Sequence, residues 1–235
     1  MVADQSANPP AGDAPVRRRD LAVARSLDSA RVRSEGRVQR FLDAGFELLA
    51  SAESGKEFTV QEVVDGSGQS LRSFYQYFAG KHELLLALFD EAIRSTAERL
   101  EELVSQRSDP LERLHCFVVE YFRMCLPAPR GKTSKNNPTP VMAEFCHQLL
   151  TAHQAEAARA FVPLVTLLEG ILAGAVGAGV VRPGVEHDED TGMILSTIMF
   201  NAAYGPTISG TERDAARGAE QMWAFVSSGI VTSAK

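Results

Sequence analysis

The segment from Ser70 to Phe78 concentrates side chains that can recognise nucleic acid. It carries arginine, glutamine, serine and tyrosine within one short stretch of the chain. Arginine pairs with the O6 and N7 atoms of guanine and glutamine with the N6 and N7 atoms of adenine, while hydroxyl groups bind phosphate oxygens. If the segment is a short helix that fits a major groove, its side chains predict sequence-specific DNA binding.

The residues before this segment are suited to position it. Thr59 can cap a first short helix, predicted over residues 59–66, with Glu62 at the capping-box position. Gly68 then allows a tight turn, and Ser70 can cap a second helix. Two short helices joined by a turn that contains glycine are typical of a helix-turn-helix motif.

The second helix of this motif is predicted to have an exposed and a buried face. The exposed face would consist of Ser70, Leu71, Arg72, Ser73 and Gln76. Phe74 and Phe78 would point into the core. Tyr75 and Tyr77 are amphipathic, so they can lie along the DNA backbone with their hydroxyls on phosphates, and core packing is the alternative for both.

Helical periodicity extends through the rest of the chain. Apolar residues at 38, 41, 42, 45, 46 and 49 mark one face of a helix, and a long helix with an apolar stripe opens at Lys81. Further helices are predicted near residues 109–126, 139–155, 156–179, 187–205 and 212–230, with breaks at 127–140, 181–184 and 206–210. Strand-like alternation is absent, so the predicted fold class is all-α.

The N-terminal region is basic, although the whole chain is acidic. The net charge is −6, yet residues 15–45 hold eight arginines and four acidic residues. Positive charge concentrated at one end of an acidic protein indicates a polyanionic partner there, and a solvated tail is the alternative. We expect residues 1–15 to be disordered and residues 20–34 to form a loose helix that carries arginines.

The sequence contains no signal for catalysis or for a metal centre. It has no nucleophile elbow, P-loop, zinc-protease motif or dinucleotide fingerprint, so an enzyme is not expected. Cys116, Cys125 and Cys146 are widely spaced in apolar surroundings, which indicates buried thiols in a reducing cytosol. Their neighbours His115 and His147 do not complete a known ligand spacing, so no metal and no cofactor are predicted.

Two further features bear on location. The first thirty residues lack the apolar core of a secretory signal. The longest apolar stretch, residues 161–181, contains Pro163 and Glu169, which favours a buried helix over a membrane span. We therefore expect a cytoplasmic protein with no membrane partner.

Residues 59–85 resemble the DNA-binding signature of the tetracycline-repressor (TetR) family of bacterial transcriptional regulators; they read TVQEVVDGSGQSLRSFYQYFAGKHELL. The most specific part is S-x-x-S-F-Y-x-Y-F-x-G-K, from Ser70 to Lys81. Val64 and Ser67 stand where the family usually has alanine, and Gln69 stands where it usually has valine. The resemblance extends over about residues 38–89, and the remaining helices match the family in number, length and order.

The resemblance implies a division of the chain and a role for each residue of the motif. Residues 1–34 would be a flexible basic arm, residues 35–80 the DNA-binding domain, and residues 81–235 the helical ligand-binding and dimerisation domain. The residues implied to bind phosphates are Thr59, Ser70, Tyr77 and Lys81. Those implied to face base edges are Arg72, Ser73 and Gln76, with Leu71 or Tyr75 on a thymine methyl group. The arginine arm would add phosphate or minor-groove contacts.

In the same family the C-terminal half usually encloses a small-molecule pocket. The lining residues implied here are Phe117, Tyr121, Met124, Met142, Phe145, Phe161, Leu164 and Leu168. Aromatic and methionine side chains favour an apolar or amphipathic ligand. Glu144 and His147, three residues apart on one predicted helix, are candidates to orient a polar group of that ligand.

The last two helices are implied to pair with those of a second copy in a four-helix bundle. The candidate interface residues are Ile194, Ile198, Asn201, Met222, Trp223 and Val226. Packing within one chain is the alternative, because periodicity does not distinguish the two. The predicted function is a homodimeric regulator, in the family's commoner mode a repressor, released from a palindromic operator by its ligand. The alternative function is a helical carrier of apolar ligands with a vestigial DNA-binding head.

Overall fold

The structure is a computed structural model that describes residues 18–51, 58–127, 140–186, 188–210 and 214–232. Over these ranges the chain is all-α, as the sequence predicted, and contains nine helices. They are α1 (Arg18–Ser51), α2 (Val60–Ser67), α3 (Leu71–Tyr77), α4 (Lys81–Ser105), α5 (Pro110–Cys125), α6 (Pro140–Ala152), α7 (Gln154–Gly177), α8 (Asp188–Ser209) and α9 (Ala215–Ile230). The predictions for residues 1–15 and for most of the connector 127–140 lie outside the described residues.

The chain divides into two compact units, Met1–Arg40 and Phe41–Lys235. In the first unit, the described part of α1 is a solvated helix in which Arg25, Arg31 and Arg33 are all exposed. Arg31 forms ion pairs within the helix, at 3.8 Å from Asp28 and 3.6 Å from Glu35. The predicted boundary between residues 34 and 35 falls inside α1, because the helix already begins at Arg18.

The second unit is organised around α5. This helix begins at Pro110, with the Asp109 carboxylate accepting hydrogen bonds from the next two amides at 2.9 Å, and it packs against α4, α7, α8 and α9. Helices with one apolar stripe normally leave the other face in water. Here Leu114, Phe117 and Val118 are fully buried, which makes α5 the centre of the C-terminal core.

Helix α7 contains most of the apolar stretch for which a buried helix was predicted. α7 is long and apolar enough to cross a membrane by length and composition; it packs on α4, α5 and α6 through a stripe that includes the fully buried Leu164 and Leu168.

The break predicted at Pro206 is wrong, because α8 continues to Ser209. A proline inside a helix removes one backbone hydrogen bond and crowds the preceding turn, which can kink the helix without ending it; α8 ends instead before Gly210, whose φ is +64°.

The C-terminal end is fastened to the α7–α8 connection. Val181 and Val231 form an isolated antiparallel bridge. The Thr232 amide donates to the Val180 carbonyl at 3.1 Å, and the Arg182 amide donates to the Ile230 carbonyl at 2.9 Å. These bonds fix the end of α9 against the segment that connects α7 to α8.

Candidate DNA-binding surface, ligand core and apolar face

The turn between α2 and α3 has the geometry that the sequence predicted. The Thr59 hydroxyl accepts from the Glu62 amide at 3.2 Å, and the Glu62 carboxylate accepts from the Thr59 amide at 2.7 Å, which completes a capping box. Gly68 ends α2 in the left-handed region, with φ +65°. Ser70 caps α3 by accepting from the Ser73 amide at 3.1 Å.

An aromatic cluster supports α3 from below. Phe74 is fully buried, and its ring lies edge-on to Phe41 with the centroids 5.5 Å apart. Phe78 packs on both rings, at 5.3 Å from Phe74 and 6.0 Å from Phe41. The two buried positions predicted for this helix are therefore confirmed, and α3 has one fixed face and one outward face.

The outward face of α3 presents the side chains that the sequence singled out. Leu71 is 43% exposed and Tyr75 56% exposed, and Arg72 and Gln76 are exposed on the same short helix. Ser73 differs, because it is half-buried and its hydroxyl lies 3.4 Å from the side-chain oxygen of Gln69. The structure thus groups four side chains suited to base edges and gives Ser73 a local partner.

The residues implied to bind phosphates lie around this face with different degrees of exposure. Thr59 and Ser70 are exposed, and both act as helix caps. Tyr77 and Lys81 are half-buried, and the Lys81 ammonium lies 5.1 Å from the centre of the Phe58 ring. A cation in this position is attracted by the negative face of the aromatic ring.

The three departures from the family pattern are accommodated locally. Val64 is buried. The Ser67 hydroxyl donates to the Val64 carbonyl at 2.9 Å, so its polarity is satisfied within α2. Gln69 replaces an apolar turn residue with the amide that contacts Ser73.

The residues implied to line a ligand pocket are divided by the structure. Phe117, Tyr121, Leu164 and Leu168 lie in the C-terminal core, with Met124 and Phe161 half-buried at its edge, and Met142 and Phe145 are buried on α6. Glu144 and His147 do not join them, because both are exposed. Since α6 turns its 142, 145 and 149 positions inward, residues 144 and 147 fall on the opposite face, and their role in orienting a polar group of the ligand stays a prediction.

Tyr121 and Cys125 form a polar pair within α5, near Cys146 of α6. The Tyr121 hydroxyl is hydrogen-bonded to the Cys125 thiol, and burial raises the pKa of Tyr121 well above its ordinary value. Burial also raises the pKa of Cys125 to about 12 and that of Cys146 to about 11. These thiols therefore stay protonated at neutral pH; Cys116 is buried as predicted, whereas Cys125 and Cys146 are half-buried.

An apolar depression of about 250 Å³ opens beside this core. It is lined by Leu150, Gln154, Ala157, Ala158 and Phe161. Of the predicted lining residues, Phe161 reaches it, and the Phe161 ring continues inward to Phe89 at 5.7 Å. The sequence analysis missed the other four residues; for Ala157 and Ala158 the reason is that small alanines carry no pattern that distinguishes a cavity wall from a helix contact.

The predicted dimer-interface residues are mostly core residues of the chain itself. Ile194, Ile198, Met222 and Val226 are buried in the C-terminal core, which is the packing within one chain given above as the alternative, and an intermolecular role for them stays a prediction. Asn201 and Trp223 are half-buried. α8 and α9 carry these residues on the side that faces α5, and α5 already covers them.

A different set of apolar side chains on α8 and α9 faces solvent. We call it the α8–α9 apolar face: Met193 (58% exposed), Phe200 (56%), Tyr204 (43%), Ile208 (70%) and Phe225 (67%). The Phe200 and Tyr204 rings are 5.0 Å apart. The spacing of 193, 200, 204 and 208 is that of one helical face, and this signal was present in the sequence.

No protein-family model matches the chain. Over 163 residues, which are 69% of this chain and 79% of the relative, it is 23% identical to the fatty acid metabolism regulator protein of Bacillus subtilis (strain 168). Among solved structures, it resembles FadR of Thermus thermophilus, a TetR-family transcriptional repressor in complex with lauroyl-CoA (TM-score 0.58, 21% identity, 84% of this chain and 97% of that one).

It also resembles SmeT, the repressor of the Stenotrophomonas maltophilia multidrug efflux pump SmeDEF (TM-score 0.57, 16% identity, 83% of this chain and 91% of that one). These similarities show a shared fold, in which an N-terminal helix-turn-helix precedes a larger helical domain. All three relatives are named as regulators or repressors.

Proposed function

We propose that this chain, whose fold is that of the TetR-family regulators, is a homodimeric transcriptional regulator that reads a palindromic DNA site through α3 and responds to an apolar small molecule. The observation that carries the proposal is the outward face of α3, where Arg72, Gln76 and two apolar contacts stand over the fixed aromatic cluster. The chain would act in the cytoplasm, where the DNA is.

The DNA contacts follow from the chemistry of each exposed group. Arg72 binds the O6 and N7 atoms of a guanine, and Gln76 binds the N6 and N7 atoms of an adenine. Tyr75 and Leu71 contact thymine methyl groups. Each bidentate pair contributes about 1–3 kcal/mol of discrimination against the wrong base.

Phosphate binding by the caps of α2 and α3 places the recognition helix in register on the duplex. Ser70 is exposed at the start of α3, and Lys81 supplies positive charge just beyond its end. Thr59 differs from the other phosphate-binding positions, because its amide donates to the Glu62 carboxylate at 2.7 Å. A phosphate at Thr59 therefore approaches a negative charge, and Glu62 limits the affinity for DNA.

A second copy of the chain is the occupant we assign to the α8–α9 apolar face. A palindromic site needs two reading heads related by a two-fold axis. Five large apolar side chains on one surface exceed what a soluble monomer usually leaves in water at one place. Two such faces brought together by the two-fold axis form the four-helix bundle expected from the sequence.

A molecule with a long acyl chain is the ligand class that we assign to the core. One relative of this fold binds lauroyl-CoA, and the aromatic path from Phe161 through Phe89 to Phe145 leads from the depression into the core. Phe117 and Leu164 are fully buried, so the core has no room for an acyl chain unless α7 shifts against α5. Binding therefore favours a different arrangement of these helices.

α4 transmits that change to the reading head. It packs on α5 and α7 and begins three residues after Phe78 of the aromatic cluster. A Cβ atom at Gly45 of α1 would lie only 2.8 Å from Leu88 of α4, so the two helices are in close contact. A shift of α4 moves α1 with it, and the ligand lowers DNA affinity as far as it prefers the shifted state.

Selection of DNA sites from a random duplex pool tests the reading head. We expect enrichment of a palindrome whose half-sites are about one helical turn apart. On that site, Arg72→Ala should weaken binding by about 1–3 kcal/mol and relax the sequence preference at one position. Arg99→Ala removes an exposed arginine from α4 and is the matched control.

Salt dependence separates this function from the carrier alternative. True DNA binding loses about one log unit of affinity per log unit of salt for each phosphate neutralised. If no sequence is enriched at low salt, while an acyl-chain probe still binds the core, the chain is a carrier with a vestigial head. If Arg72→Ala and Arg99→Ala bind alike, α3 is not the reading helix.

A further inference from the structure

We propose that His82, His153 and Glu156 form a binding site for a zinc ion that ties the start of α4 to the start of α7. Their candidate ligand atoms all lie within 4.8 Å of one another. In the described part of the chain, this is the group of histidine, cysteine and acidic residues that lies so close together. Nothing in the DNA-reading, dimer or ligand functions uses these three side chains.

The distances within the cluster approach those of a tetrahedral site. The Nε2 atom of His82 lies 3.3 Å from a carboxylate oxygen of Glu156, and the Nδ1 atom of His153 lies 3.6 Å from the same oxygen. Zinc bonds to nitrogen and oxygen are about 2.0–2.1 Å long, so two ligands of one tetrahedral ion are about 3.3 Å apart. Small side-chain rotations bring all three atoms onto one ion.

The backbone under each ligand is fixed. His82 is the second residue of α4, and its ring packs on the buried Phe145 ring with the centroids 5.5 Å apart. The His153 amide donates to the Leu149 carbonyl at the end of α6, and the His153 carbonyl accepts the amides that start α7. Glu156 lies in that first turn of α7. Ligands on rigid elements bind metals with less ordering cost than ligands on loops.

Exposure and donor type favour zinc among the common cations. The three side chains are 51%, 46% and 29% exposed, so an ion can enter and water can take the fourth position. Imidazole nitrogens suit zinc, whereas calcium and magnesium prefer sets made of oxygen alone. Two histidines and one carboxylate with an open position form a common zinc ligand set.

Zinc titration of the tag-free, full-length chain after chelator treatment tests the proposal directly. We expect one zinc ion per chain, measured calorimetrically or against a chromophoric chelator. His82→Ala and His153→Ala should each weaken this binding at least about tenfold. Even the loss of a residue that only hydrogen-bonds to a metal ligand lowers metal affinity by about that factor. Glu156→Gln keeps the shape of the side chain and should weaken binding as well.

A second histidine–carboxylate pair in the chain provides the matched control. His115 lies 3.0 Å from Glu220, and among the described residues no third ligand joins this pair, so His115→Ala should bind zinc like the wild type. Cobalt, used as a spectroscopic probe, should give the intense absorption of a tetrahedral ion. Zinc should also slow amide exchange in the first turns of α4 and α7 together.

The same measurements define what would overturn the proposal. Binding that the His82, His153 and Glu156 variants leave unchanged would place the ion elsewhere. The proposal would also be refuted if the wild type, untreated or loaded with cobalt, did not retain one ion per chain. Because none of these measurements involves DNA, they remain decisive even if the proposed DNA function fails.

Discussion

Replacing Phe225 with serine should dissociate the dimer without unfolding the chain. Phe225 is 67% exposed on α9, so its side chain contributes little to the core of its own chain. If the α8–α9 apolar face is the dimer interface, the same ring is covered by the second copy. The substitution therefore removes apolar contact from the interface alone.

The expected magnitude follows from the exposed part of the ring. A fully covered aromatic side chain buries about 200 Å², so covering 67% of Phe225 removes about 130 Å² from water. At about 25 cal/mol per Å² this stabilises the dimer by about 3 kcal/mol for each chain, or about 6 kcal/mol for the symmetric pair. Complete coverage is the upper limit, so we expect the dissociation constant to rise by about 10²- to 10⁴-fold.

Sedimentation equilibrium measures this dissociation constant, and urea unfolding reports on the fold. Val162→Ser is the matched control, because Val162 is 54% exposed on α7, away from the α8–α9 apolar face. Ile198→Ala tests the core role instead: Ile198 is fully buried, and its truncation should lower the free energy of unfolding by about 2–5 kcal/mol. A Phe225→Ser chain that dimerises as tightly as the wild type would refute the assignment of this interface.

Three other outcomes follow from the structure. Gly45→Ala should lower the free energy of unfolding by about 1–3 kcal/mol in urea, because its Cβ would lie 2.8 Å from Leu88; an unchanged value would mean that the contact is loose. Glu62→Gln keeps the capping box at Thr59 but removes a charge near the DNA, so fluorescence anisotropy should show about fivefold tighter DNA binding at low salt and a smaller gain at high salt. Burial raises the pKa of Cys146 to about 11, so its alkylation at pH 8 should be about 200-fold slower than that of an unperturbed thiol. The stability that this burial provides should decline above about pH 9, where the unfolded thiol ionises first; rapid labelling of the folded chain at pH 8 would contradict this.

The reading head could be predicted from sequence because its signals are local. Thr59, Glu62, Gly68 and Ser70 each act within a few residues of their own position, through capping and turn chemistry. The alternation of Phe74 with exposed neighbours likewise depends only on helix geometry. Hence the bounds and the faces of α2 and α3 follow from short-range rules.

The ligand core and the histidine cluster depend on contacts between distant segments. His82 and Glu156 are separated by more than seventy positions and meet only because α4 packs on α7. Glu144 and His147 have a spacing that suits two contacts to one ligand, but the packing of α6 on α4 and α7 determines which face of α6 is buried. Periodicity alone contains no information on either partner.

Helix α8 shows why an apolar pattern does not by itself identify the partner that covers it. α8 is apolar on two sides: Ile194 and Ile198 face the core, while Phe200 and Tyr204 face water. A helix that is apolar all round requires cover on all sides. Its own chain supplies that cover on the α5 side, and we have proposed that a second copy covers the outer side. The stronger indication of a dimer is therefore the apolar surplus of α8, which remains after the requirements of its own core are met.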